Sequence, residues 1–137
     1  MSEIITNKLT GKTAAGNVTI TSEGGSATMQ LQQGVVKVWC TADENPSVTT
    51  RDSFNMSSLT DNSASDTSYT FTNAMNNSDF SAAGMASDIG STTSYDVCFE
   101  IAGSRSTTVF RMAARNYNNG AAYDSDYKMI SIHGDLA

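Results

Sequence analysis

The chain of 137 residues carries one proline, one histidine, one tryptophan and two cysteines, and each scarcity excludes something. A lone His133 with Cys40 and Cys98 at unrelated spacing offers no zinc-ligand pattern. Ser131 and Asp135 flank His133, but no nucleophile elbow or glycine-rich oxyanion motif accompanies them, so catalysis of the serine-hydrolase type is not expected. Basic residues are few and scattered singly: eight Lys and Arg against fourteen Asp and Glu leave a net charge of −6. Nucleic-acid binding needs a basic footprint that releases counterions from phosphate, and none is present. No run approaches the roughly 20 apolar residues that span a bilayer, so membrane insertion is not expected. The opening MSEIITNKLTGK has neither a basic n-region nor an apolar h-region, which predicts a protein that stays in the cytoplasm where it is made. In that reducing compartment the two cysteines are expected as buried free thiols.

Long helical patterns are also missing. Thr, Ser, Asn and Gly dominate, and these residues serve turns and solvated strand faces better than helix interiors. Short strand candidates succeed one another at residues 4–9, 17–22, 27–31, 35–41, 53–59, 68–72, 80–85, 93–102, 107–114 and 127–133. Alternation is clearest at Tyr95, Val97, Phe99 and Ile101, and again at Val18 and Ile20, the signature of strands buried on one face. Residues 35–41 carry apolar groups on both sides and belong near the centre of the fold. A helical turn over residues 79–85 is the main local alternative to a strand. The fold class expected is all-β, an antiparallel, jelly-roll-like β-sandwich.

Residues 1–34 contain no aromatic side chain, whereas every Trp, Tyr and Phe lies beyond them. Aromatic residues supply the largest buried areas, so residues 35–137 are expected to form the sandwich head and residues 1–34 an extended β-rich arm. Isolated hairpins are marginal in water, and the arm therefore needs a neighbour to cover it. Its apolar residues Ile4, Ile5, Leu9, Val18, Ile20, Met29 and Leu31 are the candidates for anchoring and for contact between subunits.

Polar loops invite two chemical readings. Asp61, Asn62, Ser65 and Asp66 cluster, as do Asp124 and Asp126, but no EF-hand glycine and terminal glutamate accompany them, and Asx-type turns explain them better than calcium. No metal or cofactor is expected. Tyr117 and Tyr123 stand in RNYNNGAAYDSDY, where tyrosines could stack on a sugar, since Tyr presents much area at little rotamer cost.

The segment SFNMSSLTDNSASDTSYTFTNAM, residues 53–75, reads as a hairpin, with Phe54 and Met56 on one face of its first strand and Tyr69 and Phe71 on one face of its second. Residues 60–67 between them are all small or polar. This segment resembles the recurring SFN…SS…TDN…FTNAM signature of small virion proteins from tailed bacteriophages, of the tail-fibre or spike type. TMQLQQGVVKVW upstream and the closing IHGDLA extend the resemblance to about residues 27–137. The resemblance implies a non-enzymatic structural protein on the virion surface, assembled in the host cytoplasm, homotrimeric, in contact with other capsid or tail proteins and with a host-surface glycan. A capsid decoration protein that cements the head shell is the alternative. Relatives more often have a glycine-containing turn where this chain has TDNSASDTSY, which makes a type I′ turn less favourable here. The tip is therefore where this chain's contacts should differ, and Asp61, Asn62 and Asp66 join Tyr117 and Tyr123 as candidate recognition residues.

Overall fold

The computed structural model describes residues 6–12, 18–21, 24–25, 27–88 and 96–137. The chain divides into two compact units, residues 1–35 and 36–137. In the first, β1 (Thr19–Thr21) and β2 (Thr28–Gln30) form an antiparallel hairpin in which Ile20 and Met29 are cross-strand partners. A single helical turn, α1 (Leu31–Gly34), follows directly, so Leu31 does not continue the alternation begun at Met29 as expected. Its N–H instead donates to the Val18 carbonyl at 2.7 Å, which closes the hairpin over the turn. Gly34 sits against Met29, where a Cβ would meet the Met29 methyl at 2.7 Å.

The second unit is an antiparallel β-sandwich, as the strand patterning predicts. One sheet runs in the order β4 (Thr49–Phe54), β3 (Val38–Asp43), β10 (Tyr127–His133), β7 (Ser81–Ser87). The other runs β5 (Met56–Ser63), β6 (Asp66–Phe71), β9 (Val109–Asn116), β8 (Asp96–Glu100). Between the sheets lie Val38, Cys40, Tyr69, Phe71, Phe110, Met112, Ile130 and Ile132, with Met75 and Phe80 from the β6–β7 connection. Phe80 is central: its ring meets Phe71 and Phe110 edge-on at centroid distances of 5.8 and 6.3 Å. Each such burial contributes about 1.5–3 kcal/mol, and edge-on ring pairs add about 0.5–1.5 kcal/mol. β3 is an interior strand, as its two-sided apolar pattern predicts. The segment read as either helix or strand is the strand β7.

The hairpin expected across residues 53–75 is built differently. Residues 53–59 are not one strand. Phe54 ends β4 in the first sheet, Met56 begins β5 in the second, and Asn55 between them has φ 59°. The equal parity of Phe54 and Met56 suggests one face, but the left-handed residue sends the chain across the sandwich. Phe54 ends exposed, while Met56 packs against the core. The polar stretch 60–67 is not a long turn either. β5 runs to Ser63 and β6 resumes at Asp66, leaving a two-residue tip, Ala64 and Ser65. Ser65 takes the positive φ, also 59°, that glycine supplies in tighter hairpins.

Candidate functional site

Three features of the sandwich unit bear on function. The first is the outward face of sheet β4-β3-β10-β7. Alternation places Lys128, Ile130 and Ile132 inward on β10 and turns Tyr127, Met129, Ser131 and His133 outward. Register then lines up Phe54, Trp39, Ser131 and Ala83 in one row across the sheet, and Asp52, Thr41, Met129 and Met85 in the next. Met85 is 60% exposed, Phe54 55% and the only tryptophan 36%. A shallow groove over β7 and β10 runs beside them, lined by Ala83, Gly84, Met85, Met129, Ile130 and Ser131. Large apolar side chains on a solvated sheet face remove nothing from water until a partner covers them.

The second feature is one end of the sandwich, where the β5–β6 tip meets the connection from β9 to β10. The Ser65 N–H donates to Asp124 Oδ1 at 2.8 Å, and the Ala114 N–H donates to the Ser65 hydroxyl and carbonyl at 3.1 Å each. The two segments holding the candidate recognition residues are thereby brought together. Asp61, Asn62 and Tyr117 are exposed, Tyr117 by 75%. Tyr123 is half-buried, and its hydroxyl is enclosed without a hydrogen-bond partner. Asp66 differs from the expectation. Its side chain is largely buried on the outer face of the second sheet, where Arg111 grips it with Nε at 2.7 Å and Nη2 at 2.6 Å, and Asn62 Nδ2 donates to it at 3.4 Å. The Arg111 hydrogen bonds hold its carboxyl below the usual carboxylate range. Asp66 is therefore a fixed base for Asn62 rather than a free contact group.

Of the candidate anchoring residues, Ile4 and Ile5 lie outside the described residues. Leu9, Ile20 and Met29 are exposed, whereas Val18 and Leu31 are half-buried.

The third feature was not anticipated. Glu44, just beyond β3, and Lys128, the second residue of β10, are 1% and 0% exposed, and Lys128 Nζ donates to Glu44 Oε1 at 2.8 Å. The Thr67 hydroxyl donates to the same oxygen, the Ser125 N–H donates to Oε2 at 3.2 Å, and Lys128 also donates to the Ser65 carbonyl at 2.6 Å. Breaking such a pair by removing one partner costs about 3–5 kcal/mol, because the other charge is stranded in low dielectric. Nearby, Tyr69 is fully buried; burial, and then the Glu44 charge, push its phenol far up. The hydroxyls of Tyr69 and Ser125 are enclosed without partners. One signal in the sequence pointed here: Lys128 shares parity with Ile130 and Ile132 and so falls on the inward face of its strand.

Neither Cys40 nor Cys98 is in a disulfide; Cys40 is in the core, where burial pushes its thiol up to about 11. Among the described residues no three His, Cys, Asp or Glu side chains gather to hold a metal ion. Comparison of the chain with protein-family models, curated proteins and solved structures returns no match.

Proposed function

We propose that the protein is a non-enzymatic structural subunit on the surface of a tailed-phage virion, a trimeric fibre- or spike-type appendage that touches the host surface. The observation that carries this reading is the outward sheet face with Trp39, Phe54, Met85 and Met129, an apolar surface suited to assembly with neighbouring subunits or virion proteins. The SFN…FTNAM resemblance supplies the virion context. Two of its asparagines, Asn55 and Asn73, are hydrogen-bonded to each other, which gives the motif a reason to recur as a scaffold element. The end that gathers Asp61, Asn62, Tyr117 and Tyr123 is the natural recognition surface, with polar groups and a tyrosine ring suited to a glycan. Capsid decoration is the second reading, favoured by the same outward sheet face, whose Trp39, Phe54 and Met85 could lie against a shell.

Quantifying the protein against the major capsid protein in purified particles separates the two. A small multiple of three copies supports the appendage, hundreds support decoration, and absence from particles overturns both. Sedimentation of the purified chain tests the trimer, which a monomer at all accessible concentrations would contradict.

A further inference from the structure

We propose that Glu44 and Lys128 condense with each other, so that the mature fold carries an internal amide bond between Glu44 Cδ and Lys128 Nζ. The geometry that points to it is the enclosure of the pair. Amine and carboxyl are both sealed from water and held 2.8 Å apart by residues of three different segments. Fixing two reactive groups in this way corresponds to an effective concentration on the order of 10⁵–10⁸ M, which favours a condensation that dilute water would reverse. The surroundings are arranged for acyl transfer. The Ser125 N–H faces Oε2, where negative charge would develop, and the Thr67 hydroxyl faces Oε1, the oxygen that would leave. The Ser65 carbonyl accepts from Lys128 Nζ and so orients the nitrogen.

The step balances without an oxidant or other reactant. A proton passes from the Lys128 ammonium to Glu44 along their hydrogen bond, leaving an amine and a carboxylic acid. The nitrogen lone pair attacks Cδ and forms the C–N bond, and the C=O electron pair moves to Oε2, where the Ser125 N–H holds it. A second proton moves from nitrogen to Oε1 along the same hydrogen bond, while the Thr67 hydroxyl donates to Oε1. The C–Oε1 bond then breaks, Oε1 departs as water, and the Oε2 carbonyl re-forms. The product replaces two opposite charges buried in low dielectric by one neutral amide, which relieves the desolvation that a buried ion pair carries. Tyr69, whose phenol the Glu44 charge raises, and Ser125, whose N–H holds Oε2, both carry partnerless hydroxyls beside this network. The bond would join residues 84 positions apart and tie the end of β3 to β10, its neighbour in the sheet. This inference is independent of the virion reading, because any secreted, cytosolic or particle-bound form of the fold would carry the same pair.

Intact-mass spectrometry of the full-length chain, purified folded and incubated at neutral pH, is the test. The expected mass is one water below that of the sequence, and proteolysis should yield a branched peptide joining Glu44 to Lys128. Glu44→Ala and Lys128→Met should each return to the full sequence mass, a readout that does not require the variants to fold. A wild-type chain at full sequence mass overturns the proposal. So does a water loss that maps to other residues or survives in Glu44→Ala.

Discussion

Asn55 and Asn73 hold each other across the corner where the chain passes from one sheet to the other. Asn55 Oδ1 accepts from both the backbone N–H and the side-chain Nδ2 of Asn73, each at 2.8 Å, while Asn55 Nδ2 donates to the Lys37 carbonyl at 3.1 Å. The Thr72 N–H completes the corner by donating to the Asn55 carbonyl at 3.1 Å. Asparagine suits this position because it tolerates positive φ and still offers a side chain that bonds both ways.

Replacing Asn55 separates these two contributions. Asn55→Ala loses the side-chain bonds and also pays the left-handed backbone cost, so we expect a loss of about 2–4 kcal/mol in urea unfolding. Asn55→Gly keeps the backbone freedom and should lose about 1–2 kcal/mol less than alanine. Equal losses would mean the backbone conformation contributes nothing.

Asp66 should govern part of the acid limb of stability. Its folded carboxyl titrates below the unfolded one, chiefly through the Arg111 hydrogen bonds. The stabilisation is thus present above the unfolded carboxylate value of about 4 and lost as pH falls through the folded value. Thermal unfolding of wild type and Asp66→Asn should converge as pH drops from 5 toward 2, with the wild type more stable at pH 7.

The cysteines should differ sharply in reactivity. With its thiol raised to about 11 inside the core, Cys40 should resist a disulfide reagent at pH 8 in the folded state and react fully in urea. Cys98, on the edge strand β8, is half-buried, so at most one thiol should react without denaturant.

Gly84 leaves no room for a methyl group. A Cβ there would sit 2.3 Å from Met112 Sδ and 3.0 Å from the Met129 carbonyl oxygen. Gly84→Ala should cost about 1–3 kcal/mol through overpacking, read by urea denaturation. Gly120, with open space around it, gives a contrast only in backbone terms because its φ is 69°.

Trp39 should report assembly. As the sole tryptophan, on the outward sheet face, it should emit as a partly solvated ring when dilute, shift to the blue on self-association, and lose quenching by iodide. Phe54→Ser beside it should abolish the concentration-dependent shift while changing monomer stability by about 0.5 kcal/mol or less.

Much of the fold was legible in local pattern, but the clearest alternation gave the wrong face: Val97 and Phe99 are exposed, and Cys98 between them packs against the core. Tyr127–His133 is a strand at the limits expected, because its aromatic and β-branched residues run between a polar loop and the turn at Gly134. Reading failed where one residue overruled parity: nothing local distinguishes Asn55 as a left-handed corner from any other strand asparagine. The tip was misjudged for a related reason. Small polar residues 60–63 look like loop, yet they pair with β6 because an edge strand with a solvated face needs few apolar groups. The Glu44–Lys128 pair stayed hidden because charges far apart in sequence look like solvated surface until the sheets are stacked. The candidate recognition residues were found as two unrelated loops, and only Ser65 and Asp124 reveal that they share one end.

The one-residue passage at Asn55 also determines where this scaffold can be lengthened. Extra residues there would decouple the exit of β4 from the entry of β5 and release the Asn73 clasp, so the corner behaves as a fixed length. The connection from 117 to 126 has no such constraint over Asn118 to Ala122, which bond only within their own turn or to Asn116 and Arg115. A peptide grafted at Gly120 would be carried outward beside Tyr117 without touching the corner. That makes this end of the sandwich a place where added sequence leaves the Asn55 corner and the two sheets it joins unchanged.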